Sequence, residues 1–276
     1  MDYSHIRLTY ITHFYCNDKN INCVIDMLRF YETFCPKTLD VVMFVIVDDG
    51  SPISYEIPKF NLNLRWIRIN EDIPWNMAGA RNLGVTYALS DNIFINDVDF
   101  YLLPDTLEYM AHHKPCGRMI YKVGLDINGK WARGHCNAWF MSRARFMRFF
   151  GVDEEFSGNW GREDDMFAKL HKWSGSRLKY IPKKYRAIRT IVSNNEMDTS
   201  SYHTLKRSRD TQNFLLHKLK KQEIKTYGAE YGYSKLFLHN FTWKFLSEQR
   251  RDSRPTPKPN QWWWYLWYWR WLVGYN

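Results

Sequence analysis

The sequence predicts an α/β fold with a mostly parallel central sheet flanked by helices. Three observations carry the prediction: apolar runs of strand length recur through the first hundred residues, helical stretches separate them, and acids follow them directly. "RLTYITHFY" (7–15) is rich in β-branched and aromatic residues and reads as a first strand. A helical stretch from about Asn20 to Phe34 follows. "VVMFVIV" (41–47) is apolar without a break, as a strand covered on both faces requires, and it ends in "DDGS". "LRWIRI" (64–69) is a third strand, "NMAGARNLGVTYAL" (76–89) a helix with small residues on one side, and "NIFIN" (92–96) a fourth strand ending in "DVD".

Composition bounds the function classes. The 276 residues are 45% apolar, enough for a core and too much for a disordered chain. Five cysteines, at 16, 23, 35, 116 and 136, form no CxxC pair, which predicts reduced, buried thiols rather than a disulfide framework or zinc ribbon. The opening "MDYSHIRLTY" lacks a basic region followed by an apolar stretch, so the expectation is residence on the cytosolic side. A formal net charge of +10, concentrated in the second half, admits nucleic acid, an anionic membrane or phosphorylated substrates and selects none of them.

The acids are more selective. In parallel α/β sheets ligands gather beyond the carboxyl ends of the strands, where Asp48, Asp49, Asp97 and Asp99 all fall. Two aspartates one residue apart can aim both side chains to one side of an extended segment, an arrangement suited to Mg2+ or Mn2+ bridging phosphate oxygens. Turn-forming and helix-capping aspartates produce the same pattern. Further on, "GNWGREDDMF" (158–167) sets three successive acids beside a tryptophan. Alone, it reads equally as the acidic first turn of a helix whose apolar face is Met166, Phe167, Leu170 and Trp173.

Four motifs in register resolve the choice. "VIVDDGSP" (45–52), "WNMAGARNLGV" (75–85), "INDVDF" (95–100) and "GNWGREDD" (158–165) resemble the GT-A glycosyltransferases, over roughly residues 6–212. The first half is similar to the family 2 type and the second to the β-1,4-galactosyltransferase and chondroitin-polymerase type. The resemblance implies a UDP-sugar donor, with Asp49 on the uracil, Phe14 in the turn that walls the base, Arg81 facing the nucleotide and Asp97 near the ribose or metal. It implies Asp99 as ligand to Mn2+ or Mg2+, with His203 in "SYHTLKRSRDTQNF" (201–214) as a further ligand. It implies Asp164 as the base that takes a proton from the acceptor hydroxyl, Glu163 orienting the acceptor and Trp160 offering a ring to a sugar face. Direct displacement with such a base inverts the anomeric centre. Asp165 is expected to cap the helix or anchor the loop, Lys206, Arg207 and Arg209 to face the diphosphate or solvent, and His135 to play a supporting role.

The expected organisation is a catalytic domain over 1–212, divided near 103 into a nucleotide-sugar half and an acceptor half, then a helical extension over 213–254. A Pro-rich basic linker and the aromatic run "WWWYLWYWRWLVGY" (262–275) follow. That run is too short to span a bilayer, and its tryptophans with the preceding basic cluster are expected to anchor it peripherally at a membrane interface, the alternative being an aromatic helix packed on the catalytic domain or a dimer partner. The implied partners are a UDP-sugar, a glycan or lipid-linked glycan acceptor and a membrane surface. A nucleic-acid-binding protein and a non-catalytic, membrane-associated sugar-binding scaffold are the alternatives. The first conflicts with acids at the strand ends, which repel phosphate without a metal, and the second with retention of every key acid.

Overall fold

The computed structural model describes residues 3–16, 20–134, 137–190, 211–228, 231 and 239–251. In chain order its strands are β1 (Leu8–Phe14), β2 (Val42–Asp48), β3 (Asn63–Ile69), β4 (Asn92–Asp97), β5 (Phe100–Leu102), β6 (Met119–Lys122), β7 (Gly124–Ile127), β8 (Lys130–Ala132), β9 (Trp139–Ser142), β10 (Arg177–Tyr180), β11 (Arg186–Arg189) and β12 (Trp243–Gln249). The helices are α1 (Asn22–Glu32), α2 (Pro36–Leu39), α3 (Met77–Thr86), α4 (Pro104–Ala111), α5 (Arg143–Arg148), α6 (Glu163–Trp173) and α7 (Thr211–Tyr227).

Eight strands form the central sheet in the order β10-β6-β9-β4-β1-β2-β3-β12, and a small second sheet runs β5-β11-β7-β8. The core of the large sheet is parallel: β4, β1, β2 and β3 run together, while β9 and β12 enter antiparallel on either side. β1 and β2 are buried along their whole length, which explains runs with no polar alternation. The two faces hold separate clusters, one with Leu8, Tyr10 and Phe14 against α1, the other with Ile11, Val45 and Val47 against α3. Each fully buried Leu, Ile, Val or Phe contributes about 1.5–3 kcal/mol of transfer free energy, so these clusters dominate stability.

α3 lies unusually close to the sheet because its glycines allow it. A Cβ on Gly84 would fall 2.5 Å from Ile11 Cγ2, and one on Gly79 would fall 2.4 Å from Asn76 Oδ1 and 2.6 Å from Phe241. This approach carries Arg81, midway between them in sequence, to the sheet's carboxyl edge.

Two expectations change. The segment 213–254, read as a helical extension, supplies α7 but also β12, which pairs with the edge strand β3 through Trp243 opposite Ile69 and Gln249 opposite Leu64. The aromatic alternation of "FTWKF" suits an edge strand and was missed. Cys35 is exposed rather than buried, while Cys16 and Cys116 are buried. Among the described residues no helix is long and apolar enough to cross a membrane.

Candidate active site

Strand register creates the site. His13 of β1 pairs with Asp97 of β4, and Phe14 with Asp48 of β2, so these side chains leave one edge of the sheet together. Alternation along β1 turns its last two residues to opposite faces. His13 goes to the α3 side, where Arg81 and Asp97 act on it, and burial followed by the Arg81 charge lowers its pKa to about 3. It is therefore neutral, and its Nδ1 is buried without a hydrogen-bond partner among the described residues. Phe14 goes to the other side and packs edge-on against Trp66 with centroids 5.5 Å apart, a core side chain on the face away from Arg81.

Arg81 is the centre of the site. Its side chain is fully buried, with Nη2 donating to Asp97 Oδ1 at 2.7 Å and Nη1 to Asp164 Oδ1 at 2.6 Å. The guanidinium lies over the Trp139 ring, 5.5 Å from its centroid, and Trp139 in turn stacks on Phe167 of α6 at 4.2 Å. Burial opposes the charge, but Asp164 and Asp97 outweigh it and raise the Arg81 pKa. Asp97 is held below the ordinary carboxylate range despite burial, by Arg81, His13 and a hydrogen bond from Asn137 Nδ2 at 3.0 Å. The buried guanidinium is compensated by two carboxylates that are themselves partly exposed, 29% for Asp97 and 14% for Asp164; losing it would leave two neighbouring anions without their shared cation.

The acidic motif sits at the start of α6. Gly158 and Gly161 adopt positive φ of 96° and 91°, and Arg162 shares the left-handed region at 80°, which non-glycine residues rarely occupy. That backbone delivers Glu163, Asp164 and Asp165 into one helical turn at the positive end of the dipole. Glu163 is 7% exposed, and burial, then the neighbouring Asp164 charge, push its pKa up to about 8. Its Oε2 is buried with no hydrogen-bond partner among the described residues. Asp165 anchors α7, accepting from Lys169 Nζ at 2.6 Å and meeting His217 Nε2 at 2.9 Å. Trp160 is 43% exposed, its ring centroid 6.3 Å from that of Trp75.

Asparagines that sequence reasoning did not single out hold this arrangement together. Asn76 donates to Asp49 Oδ1 at 3.0 Å and accepts from Ser157 Oγ at 3.0 Å, tying the end of β2 to the loop before the acids. Gly158 N donates to Pro74 O at 2.8 Å beside it. Buried Asn213 of α7 reaches the carbonyls of Phe156, Asn159 and Gly161 at 3.0, 2.9 and 2.9 Å. The only signal for them was an amide among apolar neighbours, which does not name a partner.

Asp49 is 2% exposed, and burial drives its pKa well above the carboxylate range. The two aspartates of "DVD" do not share one direction of an extended strand, because a turn at Val98 and Asp99 interrupts the period of two. Asp97 is taken by Arg81 of α3, whereas Asp99 Oδ2 accepts from Arg189 Nε of β11 at 2.7 Å. These oxygens suit a hard divalent ion in kind, but no group of three or more His, Cys, Asp or Glu among the described residues is arranged to hold one. His203, His135, Lys206, Arg207, Arg209 and the aromatic run at 262–275 lie outside the described residues.

Residues 22–170, more than half of the chain, match the glycosyl transferase family 2 profile. The chain belongs to glycosyl transferase family 2. A solved structure agrees on the fold. S. aureus TarS 1-349 in complex with UDP-GlcNAc is 15% identical with a TM-score of 0.51, over 70% of this chain and 61% of that one. A Drosophila β-1,4-galactosyltransferase 7 variant in complex with manganese, UDP-Gal and xylobiose is 13% identical with a TM-score of 0.49, over 75% of this chain and 79% of that one. The family 2 chain thus spans about three fifths of the TarS fragment's length. No curated protein sequence is significantly similar to it. In this family 2 chain with the GT-A fold, the candidate site lies at the carboxyl edge of the parallel strands, where open α/β sheets gather ligands.

Proposed function

We propose that the protein is an inverting, metal-dependent glycosyltransferase that moves a hexose or N-acetylhexosamine from a UDP-sugar to a hydroxyl of a glycan or glycolipid. The observation that carries this reading is the single buried guanidinium of Arg81 joined to Asp97 of the donor half and Asp164 of the acceptor half. Asp164 is the base. It accepts the proton of the acceptor hydroxyl as that oxygen bonds to the anomeric carbon and the bond to the diphosphate breaks on the opposite face, so an α-linked donor gives a β-linked product. The diphosphate leaves with the electron pair of the broken bond.

Glu163 supports the acceptor side: a carboxyl with a pKa near 8 holds its proton at neutral pH beside Asp164. The exposed Trp160 ring suits the apolar face of a sugar. Asp49 serves the uracil, Arg81 faces the nucleotide and Asp97 approaches the ribose or the metal. Phe14 contributes to the base site only through the core under it. Asp99, with His203, would hold Mn2+ or Mg2+, which as a Lewis acid neutralises the charge of the departing diphosphate. UDP-GlcNAc with the TarS fragment and manganese with UDP-Gal in the galactosyltransferase are consistent with this donor class.

Screening UDP-sugars for release of UDP in the presence of Mn2+ tests the reading. One UDP-sugar hydrolysed well above the others supports it; no release from any, with a chain that is folded, overturns it.

A further inference from the structure

Large apolar side chains left exposed among the described residues concentrate on α7. Phe214, Leu215, Leu219 and Tyr227 are 50, 57, 54 and 65% exposed. Leu215 and Leu219 are one helical turn apart and so share a face. Lys218, Lys221 and Lys225 are exposed in one row with Phe214 along one flank of the two leucines, and Glu223, the single acid of the helix, is one turn beyond Leu219 on the other flank. The opposite face is fixed to the catalytic domain. Lys220 Nζ binds Asp153 Oδ2 and Glu155 Oε2 at 2.8 Å each, His217 meets Asp165, Asn213 holds the Trp160 loop and Ile224 packs with Phe156, Met166 and Leu170. The helix is therefore held with an outward face of two leucines, Leu215 and Leu219, flanked on one side by the row of Phe214 and the lysines.

Two kinds of occupant fit exposed leucines, and the lysines separate them. Protein interfaces are depleted of lysine at their centres, whereas an anionic lipid surface takes leucines at the acyl boundary and lysines against headgroup phosphates. Lysine stems also lie along apolar material while their ammonium groups stay in the polar layer. We propose that the outward face of α7 is a docking surface for an anionic lipid bilayer. Because Asn213, on the inner face, binds the carbonyls of Asn159 and Gly161 on either side of Trp160, seating α7 brings the acidic motif to the membrane. For the reaction proposed above, this favours a lipid-linked acceptor over a soluble glycan.

The test is hydrogen exchange of residues 212–227 in the full chain, with phosphatidylcholine vesicles and with vesicles that also contain phosphatidylglycerol. Exchange slows with the anionic vesicles alone. Leu215→Gln/Leu219→Gln and, separately, Lys218→Glu/Lys221→Glu/Lys225→Glu weaken co-sedimentation by about tenfold or more. Unchanged exchange at 212–227 while the chain still sediments overturns the proposal, because another segment then carries the binding. Sedimentation unaffected by the leucine pair overturns it as well. A wild-type dimer that becomes monomeric in Leu215→Gln/Leu219→Gln assigns the face to a second copy of the chain instead. UDP-sugar hydrolysis without vesicles is equal in wild type and variants, so failure of the transferase reading and failure of this one are distinguishable.

Discussion

Arg81 donates to Asp164 Oδ1 at 2.6 Å while its other terminal nitrogen holds Asp97 at 2.7 Å, so the base of the proposed reaction and the first acid of "DVD" share one buried cation. The glycines of "GARNLG" let α3 bring that cation to the sheet edge, and Trp139 supports its plane. Replacing Asp164 by its amide removes the base and one of the two charges that compensate Arg81, while keeping the side chain's shape. Asp164→Asn keeps UDP binding and lowers the turnover number by about 10²–10⁴, the range of a general base. Steady-state kinetics beside UDP calorimetry check this, and wild-type turnover in the variant removes Asp164 from the role.

Arg81→Lys is expected to behave as a disruptive change. An ammonium cannot reproduce the two forked hydrogen bonds at these positions, and one partly exposed carboxylate loses its charged partner. The loss is about 1.5–3 kcal/mol, one charge-assisted hydrogen bond, read as a lower denaturation midpoint with an unchanged denaturant slope.

Glu163 gives a pH dependence of defined sign. Its ordinary pKa of 4.5 governs the unfolded chain and a value of about 8 the folded one. Between these values the folded state binds more protons, so the contribution of this carboxyl is full below about pH 4.5 and is lost as pH rises to about 8. Relative to wild type, Glu163→Gln therefore gains stability from pH 5 to pH 8. Urea unfolding at the two pH values measures it, and parallel profiles would contradict the assignment.

Asn213→Ala removes a buried amide from three loop carbonyls. The cost is about 1–3 kcal/mol of stability. Acceptor KM rises while UDP-sugar hydrolysis persists, because the donor half is untouched. Equal loss of both activities would mean that the loop also serves the donor.

Gly84→Ala places a methyl 2.5 Å from Ile11 Cγ2 and forces α3 away from the sheet. Overpacking of this kind costs about 1–3 kcal/mol, seen as a lower melting temperature. UDP affinity falls with it, since Arg81 rides on the same helix.

The parallel half of the fold was legible because buried strands carry a continuous apolar signal: Val42–Asp48 and Asn92–Asp97 were read within a residue or two. The acids were legible because strand ends are where such sheets bind ligands. β12 was not, since an edge strand with half-exposed Lys244 and Phe245 looks like any mixed segment. Nor was the turn that separates Asp97 from Asp99, because two residues of turn inside "DVDF" leave no compositional mark. Which face each of His13 and Phe14 takes depends on register, and one residue of offset exchanges a core ring for a site imidazole. Asn76 and Asn213 were invisible for a different reason: an amide declares its capacity to bond but not its partner.

A uridine nucleotide is expected to bind along the sheet edge that carries Asp49 at the end of β2 and the Arg81–Asp97 pair at the end of β4. Calorimetric titration of UDP, with and without Mn2+, into wild type and Asp49→Ala tests it most directly. Saturable binding that strengthens with Mn2+ and weakens at least about tenfold in Asp49→Ala, one hydrogen-bonded contact's worth, is the predicted result. No binding to the folded wild type, or equal affinity in the variant, would contradict the account.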